Sequence, residues 1–340
     1  MEIQKKTLIN LFKSVATIVL SEEKIIKHYQ EDNMKTPMHM SMGDENCVSG
    51  VVESFKGESF FFGYYRSHSL YLSLTNNTYK FFAELHGRAT GSNAGVAGSM
   101  HMSSIDDNLL SNSAIVASTI PLSLGAALSC LKIKNNKYSV VFFGDGAIEE
   151  GVFHEAMNMS SLMKLPVVFV CLDNGLAVDL EPNARQGFKS IKRIVESFDC
   201  KYFHSANAAA TDIYKLAEKA KAFIIENQMP VFIHLECYRY LQHIGTNNDF
   251  EESEHIRLLH KFKESGVGFE KKNYRSKDEY KKYLKNKPLD LLRRSARELG
   301  LLEDEMEQEM INIKLQIDID FSRALKDKPP EKRDLFRGLF

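Results

Sequence analysis

Hydrophobic positions divide the first part of the chain into helical and irregular stretches. The apolar positions that recur at the spacing of one helix face are Leu8, Leu11, Phe12, Val15 and Val19. Residues 1–35 are therefore predicted to be helical. The stretch 38–101 is rich in Gly, Ser, His and Met, which is typical of loops around a site. Small apolar residues at 114–133 predict a buried helix that its neighbours approach closely.

The clearest unit lies in the middle of the chain. An apolar run at 138–146 ends in glycine, residues 147–165 have helical spacing, and a second β-branched run covers 167–175. Strand, helix and strand in this order predict a βαβ unit with parallel strands. A helix at 211–228 and a buried strand at 230–240 continue the alternation. The predicted fold class is therefore α/β, with an open, mostly parallel sheet and flanking helices.

The C-terminal part has a different composition. Residues 251–287 are highly charged with few large apolar side chains, which favours a surface segment or linker. Residues 289–325 are predicted to be helical. The second helix there has one apolar stripe, formed by Met306, Met310, Ile313, Ile317 and Phe321. A chain of 340 residues has room for about two domains. We predict an α/β domain with N-terminal helices at 1–250, then a charged linker and helical extension at 251–340.

Composition and charge exclude several classes of protein. With 44% hydrophobic and 26% charged residues, the chain is ordinary for a globular protein. A net charge of −1 creates no overall field that would attract nucleic acid or an anionic membrane. No apolar run approaches the ~20 residues of a membrane-spanning helix. The N-terminal stretch lacks a signal-peptide cleavage site, and the five cysteines include no C-x-x-C pair. A cytoplasmic protein without nucleic-acid or membrane partners is expected.

A GDG sequence stands where the first central strand passes into a helix. Gly144 and Gly146 permit a tight turn, and the helix N-terminus that follows is a natural anion site. Asp145 adds a carboxylate at the same place, which favours a cation between the acid and the anion. Mg²⁺ fits this requirement because it binds carboxylate and phosphate oxygens together. The sequence is neither a Walker loop nor G-x-G-x-x-G, and a GDG by itself is also common in ordinary turns.

The next strand ends with a second candidate ligand. Asp173, Asn174 and Gly175 follow it, and the carboxyl ends of neighbouring parallel strands share one crevice. The Asn174 amide oxygen can bind the same cation as Asp145, although an Asn at this place can also cap a turn. A backbone carbonyl nearby would complete a site for magnesium and a diphosphate.

This constellation resembles a known cofactor motif. The segment 144–174 is similar to the thiamine diphosphate motif, which begins with GDG and ends in Asn. The wider chain resembles the α subunit of the two-subunit E1 component of 2-oxo acid dehydrogenase complexes, such as pyruvate and acetoin dehydrogenases. The other matching segments are HMSMGDEN (39–46), YYRSH (64–68), ELHGRATGSNAGVAGSMHM (84–102), IVASTIPLSLGAAL (115–128) and YRYLQH (238–243). The resemblance implies the diphosphate half of a thiamine diphosphate-binding fold.

The resemblance also implies the ligands of thiamine diphosphate and Mg²⁺. Positions that match cofactor-binding positions are His39, Tyr65, Arg66, Ala114, Val116, Asp145, Gly146, Ala147, Asn174 and His243. Asp145 and Asn174 would bind Mg²⁺ through their side chains, and Leu176 would bind it through its carbonyl. His243 would reach both the diphosphate and the reacting centre, so it is the candidate catalytic residue.

The remaining positions divide between the two ends of the cofactor. Tyr65 and Arg66 would flank the diphosphate, because a planar guanidinium binds phosphate through two hydrogen bonds. The backbone N–H groups of Gly146 and Ala147 would also donate to phosphate, while Ala114 and Val116 would meet the pyrimidine ring through their backbone. His39 matches another histidine close to the cofactor.

Three departures from the family pattern stand out. The usual E-N-N is Leu172-Asp173-Asn174, and GDGAANQG becomes GDGAIEEG, which introduces Glu149 and Glu150. The usual G-H-S-x-S-D loop is replaced by QHIGTNND at 242–249. These changes leave the metal ligands in place but leave the substrate and the acceptor open.

Three functions are compatible with this sequence. The first is an E1 α subunit that decarboxylates a pyruvate-like 2-oxo acid and transfers the acyl group to lipoyl. Such a chain would be active only with a β subunit in an α₂β₂ heterotetramer, and a lipoyl acyltransferase E2 is a further possible partner. The second is a thiamine-dependent carboligase or transketolase-like subunit with a non-lipoyl acceptor such as a sugar. The third is a non-catalytic relative, against which the retained Asp145 and Asn174 argue.

Overall fold

The centre of the molecule is a six-stranded sheet. The computed structural model describes residues 2–34, 36–247 and 275–336. The strands are β1 (Ser59–Tyr64), β2 (Leu109–Ser113), β3 (Tyr138–Gly144), β4 (Val167–Asp173), β5 (Lys201–Ala206) and β6 (Val231–Glu236). They lie in the order β2-β1-β3-β4-β6-β5, and every neighbouring pair is parallel. The predicted α/β class with an open parallel sheet is confirmed.

Helices cover both faces of this sheet. Those in the first 250 residues are α1 (Lys5–His28), α2 (Glu45–Phe55), α3 (His68–Thr75), α4 (Thr78–Leu85), α5 (Thr119–Ile133), α6 (Gly151–Leu162), α7 (Pro182–Arg185), α8 (Ile191–Ser197) and α9 (Ala210–Asn227). One apolar core includes residues of α1 to α4 and α9, and a second includes residues of α5, α6 and α8. Since β3 and β4 lie between the two cores, their side chains are buried on both faces.

The prediction of loops over 38–101 is wrong for much of that stretch. It contains α2, β1, α3 and α4. Its small residues serve close packing between helices rather than loop flexibility: a Cβ on Gly50 would lie 2.6 Å from the Cβ of Ile213 in α9. The edge strands β2 and β5 were also not predicted, because their polar and half-exposed positions give no long apolar run.

The prediction of a buried helix at 114–133 is confirmed for one face of α5 and wrong for the other. Ile120, Leu124 and Ala127 of α5 are buried against the sheet. The other face is open, with Leu122 53% and Ile133 65% exposed. The small apolar residues of α5 are thus buried by this chain on one face only. The second face would be buried only if another chain covered it.

Three helices follow in the described C-terminal part, and the last two pack against α1. They are α10 (Lys277–Leu284), α11 (Pro288–Glu298) and α12 (Glu303–Lys326). Leu292 and Met306 share a core with Leu11 and Phe12 of α1, and Phe321 in the predicted stripe of α12 is buried. Part of the predicted linker is α10, while 251–274 lie outside the described residues. The division into two domains stays a prediction. In the part of the chain that the structure describes, no helix is long and apolar enough to cross a membrane.

Candidate functional site

The carboxyl ends of the parallel strands bring most of the predicted site residues to one edge of the sheet. The residues that directly follow a strand are Tyr65 and Arg66 after β1, Ala114 after β2, Asp145 after β3 and Asn174 after β4. His243 comes after β6 and a short connection. Crevices at this edge are where ligands bind in open α/β sheets. Two groups of side chains lie here.

The first group contains two histidines and a tyrosine. The rings of His39 and Tyr65 are 4.8 Å apart, those of His39 and His243 are 5.1 Å apart, and those of Tyr65 and His243 are 5.7 Å apart. Arg66 joins this group by donating a hydrogen bond to the His243 carbonyl at 3.2 Å. The structure therefore brings together four predicted residues from three separate segments of the sequence.

Backbone contacts hold this group in place. Arg66 also donates to the Met40 carbonyl at 2.5 Å. The N–H of Gly245 donates to the Met38 carbonyl at 2.8 Å, and His39 forms a parallel bridge with Gly245. The altered loop after β6 is thus paired with the segment before α2 at Gly245. Its last two residues, 248 and 249, lie outside the described residues.

Burial and positive charge keep both histidines neutral. Burial, with the nearby Arg66 guanidinium as a second cause, lowers the pKa of His243 to about 3 and that of His39 to about 4. The buried Nδ1 of His39 has no hydrogen-bond partner among the described residues. At neutral pH these rings can therefore donate and accept hydrogen bonds, but neither carries a charge.

Two buried arginines make this edge positive. Arg66 and Arg239 are each only 5% exposed, and the hydrogen bonds of Arg239 go to the carbonyls of Leu241 and Val178. Neither guanidinium forms an ion pair with a carboxylate in the described ranges. Burial, together with Arg66 and Arg275, lowers the pKa of Arg239 to about 10. Because buried charge is costly without a partner, this arrangement suits an anion.

The second group surrounds the GDG turn. Asp145 is 2% exposed and begins a short 3-10 helix, Asp145–Glu149, that precedes α6. A Cβ on Gly146 would lie 2.9 Å from the Cβ of Ala177, so the turn after β4 packs directly on the GDG turn. The two predicted metal-binding segments are adjacent. Ala147, at 4% exposed, is also buried in this turn.

The carboxylates of this turn are paired with an arginine that the sequence did not predict. Arg185 forms ion pairs with both Asp145 and Glu149. Burial and the neighbouring charge of Asp173 still raise the pKa of Asp145 to about 6, although Arg185 lowers it. Glu149 is one of the departures from the family pattern, and its ion pair supplies a structural reason for Arg185. Nothing in the local sequence near 185 signalled this contact.

Asp173, at a second departure from the family pattern, also has a buried partner. Asp173 accepts a hydrogen bond from His234 Nε2 at 2.8 Å, and His234 Nδ1 lies 2.7 Å from the Tyr202 hydroxyl. Burial raises the pKa of Asp173, but the hydrogen bonds from His234 and the Gly175 N–H more than offset it and lower the pKa below its usual value. The carboxylate that replaces an amide here is therefore stabilised by a buried histidine on β6.

The remaining predicted residues are less directly placed. The Asn174 Oδ1 accepts from the Leu176 N–H at 3.2 Å, so the side chain caps its own turn, and the Asn174 carbonyl accepts from Arg275. Ala114 follows β2, and Val116 is 43% exposed beside α5. In the described residues, no side-chain hydrogen bond or ring contact joins Ala114 or Val116 to the two groups.

The chemistry of the turn differs from that of a carboxylate-rich metal centre. The described residues contain no cluster of three or more His, Cys, Asp or Glu side chains suited to a metal ion. The predicted set instead combines one carboxylate, one amide oxygen and one backbone carbonyl, with the other positions left to phosphate oxygens and water. That donor set is typical of Mg²⁺ sites that depend on a bound phosphate.

Comparison with known proteins agrees with this geometry. The sequence profile of the dehydrogenase E1 component family matches residues 13–253. The chain is 27% identical to the "Pyruvate dehydrogenase E1 component subunit alpha" of Rickettsia felis, over 86% of this chain and 82% of that one. It is 29% identical to the protein of the same name from Rickettsia typhi, over 70% and 73%. With that from Porphyra purpurea it shares 27% identity over 94% and 88%. The predicted resemblance is confirmed, and the chain belongs to the dehydrogenase E1 component family.

Proposed function

We propose that this chain is the α subunit of a thiamine diphosphate-dependent E1 enzyme that decarboxylates a pyruvate-like 2-oxo acid. The family implies the cofactor. The observation that carries the proposal is the pair of buried arginines, Arg66 and Arg239, beside the GDG turn at the same sheet edge. An anion with several charges would supply the partner that these guanidinium groups lack among the described residues.

The residues present fit the diphosphate. Arg66 and Arg239 provide planar donors, and the N–H groups of Gly146 and Ala147 lie at the turn after β3. Gly146 has no Cβ, and one would meet Ala177 at 2.9 Å, so only glycine allows this close approach between the two turns. The turn therefore offers backbone donors to phosphate without a side chain in the way.

The proposed Mg²⁺ ligands are Asp145, Asn174 and the Leu176 carbonyl. Asp145 is buried at the end of β3, and the segment 174–177 packs on it, so one cation can reach both. For Asp145 to bind the metal, Arg185 must release at least one carboxylate oxygen. Glu149 retains a charge for Arg185 in that state, so the guanidinium need not become unpaired.

His243 is the group we assign to the reacting centre. Thiamine diphosphate, when bound, supplies the carbanion and the electron sink for decarboxylation. His243 is neutral because its pKa is about 3, so its ring acts as a hydrogen-bond donor or acceptor. Arg66 fixes the backbone of this residue, and His39 and Tyr65 contact its ring. The three neighbours orient the imidazole without carrying the reaction.

A β subunit is the partner that the family implies. The open face of α5, with Leu122, Gly125 and Ile133, has apolar residues that a second chain would cover. We propose that this face contacts the β subunit, which would supply the pyrimidine half of the site in an α₂β₂ heterotetramer. A lipoyl acyltransferase E2 as acceptor and a cytoplasmic location remain part of the proposal.

The experiment is an assay of the chain co-purified with a β subunit. Pyruvate decarboxylation with transfer to lipoamide, dependent on thiamine diphosphate and Mg²⁺, is the expected result. Activity with aldehyde or sugar acceptors but none with lipoamide would contradict the E1 proposal and favour the carboligase alternative. Failure of the α–β assembly to bind the cofactor would contradict both and indicate a non-catalytic relative.

A further inference from the structure

Helix α12 has a second apolar face that no described part of the chain covers. Ile311, Leu315 and Ile319 are 54%, 60% and 52% exposed. They are spaced four residues apart, so they form one row along the helix. This row points away from Met306 and Phe321, which are buried against the rest of the protein. An ordinary surface helix has only one apolar face.

The helix is held rigidly, so the exposed row has a fixed shape. Lys24 of α1 forms an ion pair with Asp318 at 2.8 Å, and Thr78 of α4 donates to Asp320 at 2.5 Å. Ile317 lies in the same core as α1 and α4. A partner that binds this face would therefore meet a surface that is already ordered, which lowers the entropy cost of association.

The exposed face of α12 has a similar pattern of residue types in both directions from Leu315. Its members repeat every three or four residues and are Asp304, Gln308, Ile311, Leu315, Ile319, Ser322 and Lys326, all exposed. Reversing the helix about Leu315 exchanges Ile311 with Ile319. It also exchanges Asp304 with Lys326, and neither of these two side chains has an ion-pair partner in the ranges 2–34, 36–247 and 275–336. The charge at one end thus complements the charge at the other.

From this symmetry we propose that α12 packs antiparallel against α12 of a second copy of the chain. A two-fold axis at Leu315 places Leu315 on its own copy, each Ile311 on the partner's Ile319, and each Asp304 beside the partner's Lys326. Such an isologous contact uses one patch twice. The row from Asp304 to Lys326 is about 33 Å long at 1.5 Å per residue, enough for several turns of each helix to meet.

Other kinds of partner fit the face less well. A membrane-surface helix carries Lys and Arg on both borders of its apolar stripe. Here the residues beside the stripe include Asn312, Gln316 and Asp318 together with Lys314, so the borders are mixed in charge and partly neutral. The proposed contact does not depend on the cofactor or on the reaction, so it can be tested separately from the proposed function.

Disulfide cross-linking tests the position of the two-fold axis. In the full chain, Leu315→Cys places one thiol on the axis, so mild oxidation should give a covalent dimer. Gln316→Cys is the matched control, since it is exposed on the same helix but off the axis. The wild-type chain controls for its own thiols, of which Cys237 alone among the five is not fully buried. Equal cross-linking of both variants would contradict the antiparallel geometry.

Charge exchange tests the ends of the contact. Asp304→Lys should weaken self-association at least tenfold in sedimentation equilibrium at low salt, because it faces Lys326 of the second copy. Adding Lys326→Asp should restore the association. Leu315→Glu should abolish it, while Gln316→Glu should not, and thermal melts check that all variants fold. A wild-type chain that stays monomeric with or without a β subunit would overturn the proposal. The proposal would also be overturned if Leu315→Glu prevented binding of the β subunit but left self-association of the chain unchanged.

Discussion

Arg185 and Asp145 form a buried ion pair at the GDG turn that follows β3. Their side chains are 7% and 2% exposed, and Glu149, also bound to Arg185, is 25% exposed. Glu149 is a departure from the family pattern GDGAANQG, and its negative charge is paired with Arg185. The pair couples the loop that carries α7 to the cofactor turn. If Asp145 binds magnesium as we propose, magnesium and Arg185 compete for the same carboxylate.

The first prediction concerns this competition. Arg185→Gln should lower the free energy of unfolding of the cofactor-free chain by about 3 kcal/mol, the scale of breaking a buried ion pair. The same change should strengthen Mg²⁺-dependent binding of thiamine diphosphate, because Asp145 becomes available without displacing a cation. Chemical denaturation and calorimetry on the α–β assembly measure the two effects.

Glu149→Gln is the matched control for Arg185→Gln. It should cost only ~1 kcal/mol, since Glu149 is partly exposed and solvent screens its pair. It should weaken cofactor binding, because Arg185 then has only Asp145 to bind. If both variants changed the affinity in the same direction, Arg185 would not act as a competitor of the metal.

The second prediction tests Asp145 as a ligand. Asp145→Asn keeps the shape of the side chain but removes its charge, so Mg²⁺-dependent cofactor binding should fall by at least tenfold. The apo chain should still fold, because Arg185 keeps Glu149 and a buried charge has been removed. Titration calorimetry with thiamine diphosphate in Mg²⁺ gives the affinity, and a thermal melt gives the stability. Wild-type affinity in this variant would remove Asp145 from the metal site.

The third prediction concerns pH. The pKa of His243 is lowered to about 3 in the folded chain, whereas an unfolded histidine titrates near 6.5. The unfolded state therefore binds more protons below pH 6.5, and the stability falls as the pH falls from about 6.5 toward 3. His243→Gln should reduce the loss of melting temperature between pH 7 and pH 5.

His39→Gln provides an independent check of the same cause. Its pKa is lowered to about 4, so the sign is the same and the affected range ends at a slightly higher pH. Parallel melts of the wild type and the two variants over this pH range measure the slopes. Unchanged slopes in both variants would show that neither ring is held neutral by its surroundings.

The sequence predicts those parts of the fold that depend on apolar periodicity. The runs that became β3, β4 and β6 are buried on both faces, so their composition alone identifies them. The strand β1 was missed although it contains Phe60, Phe61 and Phe62, because its neighbourhood is rich in Gly and Ser. The helix around Gly50 was not predicted for a related reason. Close packing against α9 requires small residues, and a segment rich in small residues has the composition of a loop.

The candidate site was predictable only where a motif records it. Asp145, Asn174, Arg66 and His243 lie in matched segments, and the strand order explains why they share one edge. Arg185 and His234 could not be predicted, since their roles arise from Glu149 and Asp173, to which they are not adjacent in sequence. Arg239 was available in the motif YRYLQH, but its burial without a carboxylate partner in the described residues is visible only in three dimensions.

The fourth prediction addresses the β subunit. Leu122→Glu places a charge on the open face of α5 and should prevent co-purification of a β subunit and abolish activity. The isolated chain should melt as the wild type does, since this side chain is 53% exposed. Lys132→Glu, at an exposed position near the end of the same helix, is the control for a change of charge alone. Normal assembly by Leu122→Glu would place the β contact elsewhere.

The last prediction separates three roles of His243. If its ring hydrogen-bonds charge that develops on the substrate, His243→Ala should lower kcat by roughly 10²-fold at saturating cofactor, the scale of removing such a group. If it only binds diphosphate, excess thiamine diphosphate should restore kcat. If it only holds the loop against Arg66 and His39, the melting temperature should fall while kcat per intact site stays near the wild-type value. Steady-state kinetics with active-site titration distinguishes these results. Because the pKa of His243 is about 3, the ring is already neutral at pH 6. Its removal should therefore leave the shape of the kcat profile between pH 6 and pH 8 unchanged, and a lost inflection there would contradict a neutral His243.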